Sequence, residues 1–275
     1  MLFPPPDHTL VCAGHTHHYA QAGNGAATVM LVHGSLCDYR YWRWQLNGLS
    51  DTYRIVAPSL RGYWPAALTH ADPSFSISQH ARDLASFALG INEGHPVHIV
   101  GHSRGAQVAL ELALAAPDLT ASLTLADPGF RLTTEPEAPL LHRDMAALLL
   151  GDDADAALSG FVDKVNGAGT WRQMTNWFKT MVRDNAATLL SQATEPQTPV
   201  DPAHIAALPF PLLLVGGENS PARYRTRLDA LSLARPQAHQ VSIPLAAHGM
   251  NLANPKAFNR ALSTFIENAE MSAQV

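Results

Sequence analysis

The sequence predicts an α/β architecture, a mostly parallel central sheet flanked by helices. Three observations point there. Short, β-branched apolar runs alternate with longer amphipathic stretches of helical period, the pattern of strands joined by crossover helices. A serine bracketed by glycines, Gly101-His102-Ser103-Arg104-Gly105, stands at the end of one apolar run and directly before a helical one. The alternation lapses once, from Phe130 to Ile205, where only helical patterns occur. A helical cap is therefore expected after the sixth strand.

The elements follow in order. Residues 8–23 read as a hairpin of two edge strands. Buried strands are expected at 28–34, 53–60, 96–103, 121–128, 209–217 and 239–245. A helix over 76–91 opens on the cap residue Ser76 and sets Ile77, Leu84, Phe87 and Ala88 near one face. A second, over 104–117, follows the serine and is closed by Pro117. A third, over 254–269, carries Pro255 near its first turn, where proline is tolerated. The insertion contains "LLHRDMAALLLG", "ALSGFVDKVNG" and "WRQMTNWFKTMVRDNAATLLSQ". The spacing of Trp171, Met174, Trp177, Phe178 and Met181 suits a helix with an apolar face. The expected division is a core of residues 1–129 and 206–275 and a cap of residues 130–205.

Composition narrows the function. The chain of 275 residues is 47% hydrophobic and 15% charged, with a formal net charge of -5, which suits a sizeable buried core. No basic cluster stands out, so no nucleic-acid partner is expected. The N-terminus "MLFPPPDHTL" lacks a basic segment followed by an apolar one, and no run approaches the ~18 apolar residues of a membrane span. Cys12 and Cys37 make no disulfide framework. These features suggest a cytoplasmic protein acting on a small molecule, with no membrane partner. His15 and His17 of "HTHH" share a strand face, but no third ligand is evident, and no metal or cofactor is expected.

In open α/β sheets ligands bind beyond the carboxyl ends of the strands. Those ends carry His33-Gly34-Ser35-Leu36, then His102-Ser103-Arg104, then Asp127, then Gly217-Glu218-Asn219-Ser220, and last His248-Gly249. A serine, an acid and a histidine arrive in the order Ser…Asp…His, each just past a strand. With "LVHGSLCDYRYW", "APSLRGYWPA", "IVGHSRGAQVALELA", "LTLADPGF", "LLLVGGENSP" and "AAHGMNLANPKAFNRALSTFI", the chain resembles the α/β-hydrolase fold superfamily over nearly its whole length.

The resemblance implies a serine hydrolase. Ser103 would be the nucleophile and His248 its base, with an acid holding the imidazole. One oxyanion donor would be the backbone N–H of Arg104, the other that of Ser35 or Leu36. Many relatives carry Asp after the penultimate strand, where this chain has Ser220. Asp127, at the end of the preceding strand, is therefore the expected acid, with Glu218 the alternative. The Arg104 side chain either pairs with an acid, meets solvent or binds a substrate carboxylate. Trp42, Trp171 and Trp177, with Tyr39, are candidates for the substrate pocket. The leading reaction is cleavage of an ester, lactone or related acyl bond of a largely apolar substrate. Three alternatives stay open: a C–C bond hydrolase, a cofactor-free ring-cleaving dioxygenase using the His248–Asp127 pair, and a slow-turnover small-molecule receptor.

Overall fold

The computed structural model describes residues 6, 8–137, 141–151 and 153–273. The reading of the extreme N-terminus falls largely on residues 1–5 and 7, and that of the first cap pattern begins at residue 140; these lie outside the described residues. The chain runs β1 (His8–Cys12), β2 (His15–Ala22), β3 (Thr28–Val32), α1 (Arg43–Leu49), β4 (Arg54–Pro58), α2 (Ile77–Ile91), β5 (Val97–His102), α3 (Arg104–Ala115) and β6 (Thr120–Ala126). Six helices follow before the next strand: α4 (Leu141–Leu150), α5 (Ala154–Asn166), α6 (Thr170–Gln173), α7 (Asn176–Asp184), α8 (Thr188–Thr194) and α9 (Pro202–Ala206). The chain then ends with β7 (Leu212–Gly217), α10 (Ala222–Ala234), β8 (His239–Ile243), α11 (Met250–Ala253) and α12 (Pro255–Ala273).

The strands form one sheet in the order β1-β2-β4-β3-β5-β6-β7-β8. The β1–β2 hairpin turns through Ala13 and Gly14, both at positive φ, the geometry that matches the strand twist. This hairpin lies antiparallel to β4, and all pairings from β4 to β8 are parallel. Parallel strands need helices on both faces, and β3, β5 and β7 are buried along their whole length. Apolar side chains of α2, α3 and α10 close one face. Those of α12, α11 and the insertion helices α5, α7 and α8 close the other.

Strand and helix positions match the sequence reading to within a few residues, except that α1, α9, α10 and α11 are additions and one expected helix is broken twice. The helix α1 is short. The helix α10 carries a narrow stripe, with only Tyr224, Leu228 and Leu231 buried, so its period is faint. The pattern from Trp171 onward is not one helix but three. Met174 is extended, with ψ 143, and separates α6 from α7. Asn185 separates α7 from α8 because its side chain turns inward to Asp38 and accepts from the Trp64 N–H. The insertion is also pinned at its base by a bridge, Leu132 to Val200, which its helical patterns gave no reason to expect. Among the described residues, no helix is long and apolar enough to cross a membrane.

Candidate active site

The turn from β5 into α3 places Ser103 at φ 55, ψ -119, a strained conformation for a residue with a Cβ, costing on the order of 1–3 kcal/mol. Surrounding contacts enforce it. The Ser103 N–H donates to Ala126 O at 3.0 Å, and the Gly129 N–H donates to Ser103 O at 3.0 Å. The flanking glycines allow the approach. A Cβ on Gly101 would lie 2.4 Å from Gly105 O, and one on Gly105 would lie 2.4 Å from His33 O. The G-x-S-x-G pattern is therefore a packing requirement of the turn.

Two further strands, β6 and β8 on either side of β7, bring the acid and the histidine. Asp127 follows β6 at φ 38 and is held by its N–H donating to Val215 O at 2.8 Å. Its carboxylate is fully buried. His248 follows β8, and its Nδ1 lies 3.3 Å from Asp127 Oδ2. Tyr224 stacks on the imidazole, with centroids 4.3 Å apart. Burial pushes Asp127 up to about 6, against hydrogen bonding from Ser220. Burial, with the charges of Arg223 and Arg227, pushes His248 down to about 3. At neutral pH the pair is thus a carboxylate and a neutral imidazole. Among the described residues no hydrogen bond joins that ring to Ser103. Glu218, the alternative acid, is exposed and accepts from the Leu245 N–H at 2.8 Å. It fastens the loop after β8 and does not contact His248.

After β3, the Cys37 N–H donates to Gly34 O at 3.3 Å. This turn leaves the N–H groups of Ser35 and Leu36 outside its own hydrogen bond. His33 shapes the loop and does not enter the cavity: its Nε2 accepts from the Leu60 N–H at 3.0 Å. The insertion is fastened to this loop and to the serine turn. Ser35 Oγ donates to Gln192 Oε1 at 2.6 Å, and Asn185 donates to Asp38 Oδ2 at 2.7 Å. Arg104 Nη1 and Nη2 grip both oxygens of Glu195, which follows α8. Arg104 therefore pairs with an acid, and its guanidinium is buried.

Ser103 and His248 line a cavity of about 460 Å3 between the sheet edge and the insertion. Gly34, Ser35 and Leu36 line it too, as does Trp177. Two of the three expected pocket tryptophans do not. Trp42 is fully buried and packs on Phe258. Trp171 lies against Lys179 and Arg183, and the break at Met174 turns it away. Tyr39 packs on Trp64 instead. Tyr41 and Trp44 take the expected places. They are three residues apart, as Tyr39 and Trp42 are, but on the opposite side of the helical turns, so the aromatic run "YRYWRW" signalled the wall without its facing side. His102, beside the serine, is also in the lining; its Nε2–H donates to His248 O at 2.7 Å. His15 and His17 sit ring to ring on β2 at 4.6 Å, with His17 packed on Phe87.

Residues 29–261 match the model of the alpha/beta hydrolase family. The chain belongs to that family. This alpha/beta hydrolase is 26% identical over 253 residues to 2-(acetamidomethylene)succinate hydrolase of Mesorhizobium japonicum, covering 88% of this chain and 89% of that protein. It is 37% identical over 112 residues to the dihydrolipoyllysine-residue acetyltransferase component of the acetoin cleaving system of Cupriavidus necator. That match covers 40% of this chain and 29% of that protein, so the chain spans under a third of that relative's length. Among solved structures, a thermophilic esterase from Thermogutta terrifontis has a TM-score of 0.77 at 22% identity, covering 95% of this chain and 97% of that one. That likeness establishes the shared fold.

Proposed function

We propose that this hydrolase cleaves an ester, lactone or related acyl bond of a small, largely apolar substrate through an acyl-enzyme on Ser103. The observation that carries the reading is the convergence of Ser103 and His248 on one cavity, with Asp127 behind the far nitrogen of the imidazole. Nδ1–H donates to the carboxylate, which leaves Nε2 as the basic lone pair. Ser103 Oγ attacks the carbonyl carbon while its proton passes to Nε2. The contact between the two tightens as substrate binds. The oxyanion accepts the Arg104 N–H, at the start of α3, and that of Ser35 or Leu36. Collapse expels the alcohol, which takes the proton from His248. Water then attacks the acyl ester and gives a proton to His248; collapse releases the acid as Ser103 Oγ leaves and takes that proton back. In a lactone, alcohol and acid remain one molecule.

The segment 130–205 serves as a cap on a core of 1–129 and 206–275. This division is supported by the residues of α5, α6 and α7 that line the cavity opposite the sheet. The test is hydrolysis of a panel of 4-nitrophenyl esters and simple lactones by wild type and Ser103→Ala. The variant is expected to lose about 1,000-fold or more in kcat. Turnover by Ser103→Ala within tenfold of wild type would overturn the reading and favour chemistry by the His248–Asp127 pair alone.

A further inference from the structure

The walls of the cavity are mostly apolar, with Trp44, Phe161, Met174, Trp177, Phe178 and Leu252 among the lining residues. Hydrogen-bonding groups are present, among them Asn166 and Gln173, but all are uncharged. Among the described residues that line it, none is Asp, Glu, Lys or Arg. The arginines nearby have other partners. Of the two whose charges reach His248, Arg227 pairs with Glu135 at 2.8 Å, and Arg223 donates to Lys164 O at 2.8 Å and lies over the Tyr224 ring. Arg104 is taken by Glu195. Arg40 is held by Asp38 and Asp184 at 2.7 and 2.9 Å. Arg43 lies over the rings of Trp44 and Trp177, 4.7 Å from each centroid.

We infer that the site is selective for uncharged acyl compounds and turns away substrates that carry a carboxylate or an ammonium group on the acyl chain. The inference rests on the cavity being the substrate site, as proposed above. A charged group seated at the buried end of this space, against Phe161, Val162, Phe178 and Val182, sheds its water and meets no opposite charge. Such a group is tolerated in a protein interior only when it is paired. The two imidazoles in the lining offer no pairing cation at neutral pH, because burial pushes His102 and His248 down to about 3. Neutral dipoles such as Asn166 and Gln173 can still orient a polar but uncharged substrate.

The test measures binding separately from chemistry. Three 4-nitrophenyl esters of similar length are titrated into Ser103→Ala: the methyl adipate diester, the hemiadipate and the 6-aminohexanoate. Binding is read from quenching of tryptophan fluorescence, since Trp44 and Trp177 line the cavity. The neutral diester is expected to bind about 100-fold more tightly than either charged ester. Binding of the hemiadipate or the aminohexanoate within tenfold of the diester overturns the inference, as does failure of the diester to bind. Turnover of the diester by wild type reports separately on the proposed reaction. A diester that binds selectively but is not cleaved contradicts that reaction and leaves the selectivity standing.

Discussion

Ser220 Oγ donates a hydrogen bond to Asp127 Oδ2 at 2.5 Å, the same oxygen that faces His248 Nδ1 at 3.3 Å. The serine after β7 thus braces the carboxylate after β6. A hydroxyl donating to a carboxylate favours its charged form, and here it opposes the burial that raises Asp127 to about 6.

Ser220→Ala is therefore expected to lower kcat/KM about tenfold, the rate equivalent of a charge-assisted hydrogen bond of ~1.5 kcal/mol. Its pH profile carries the diagnostic. Under the proposed mechanism activity needs the pair with its proton on Nδ1 only, and is expected to be lost as the pH falls through about 6, the value of Asp127. Removing the donor raises that value further, so the acid limb moves to higher pH. His248, Tyr224 and Arg223 stay in place, and Ser220→Thr keeps the wild-type limb.

The acid itself is separable from its alternative, Glu218. Asp127→Asn leaves His248 without a carboxylate and is expected to reduce kcat by about 1,000-fold or more. Glu218→Gln is expected to stay within about threefold of wild type, because Glu218 only caps the loop at Leu245. Steady-state kinetics on one ester decides between them, and the reverse order of effects contradicts the assignment.

Much of this was legible in the sequence because it depends on backbone geometry. The glycines at 101 and 105 and the run of residues ending each strand fix where Ser103, Asp127 and His248 emerge. Ser220 stands where many relatives have an acid, and that departure pointed to Asp127. The pocket was read less well. Whether Trp42 or Trp44 faces the cavity depends on a rotation within a few residues of irregular helix, to which composition is blind. Trp171 was misplaced because the break at Met174 carries no glycine or proline. The partner of Arg104 was one of several possibilities, since Glu195 lies 91 residues away and meets it only through tertiary docking.

That ion pair fastens the insertion to the serine turn, and His80 Nδ1 lies 3.3 Å from the same guanidinium. Glu195→Ala leaves a buried, unpaired arginine and is expected to cost about 3–5 kcal/mol in stability. Pairing it with Arg104→Met removes the orphaned charge and recovers most of that loss. Urea unfolding of the two variants tests this. A double variant no more stable than the single would show that the pair does not act as a unit.

Buried histidines give the fold an acid limit. Burial pushes His17 and His33 down to about 4, His102 to about 3, and His80 well below its usual value. The unfolded chain takes up these protons below about pH 6.5 while the folded chain does not. Stability is therefore present above that pH and is lost as pH falls toward the folded-state values. Asp127 acts in the opposite sense between about 4 and 6, as does Glu111, which burial also raises, but His248 and His142, lowered to about 3 and about 4, add to the four rings on the other side. Scanning calorimetry is expected to show Tm falling by on the order of 10 °C from pH 7 to pH 5. An unchanged or rising Tm over that range contradicts the assignment of these rings as neutral.

The central claim is that Ser103 is an activated nucleophile. Its most direct test is intact mass after exposure to a fluorophosphonate, for wild type, Ser103→Ala and His248→Ala. The account predicts one adduct on wild type, none on Ser103→Ala, and a much slower reaction on His248→Ala. No adduct on wild type, or an adduct on Ser103→Ala, would contradict it.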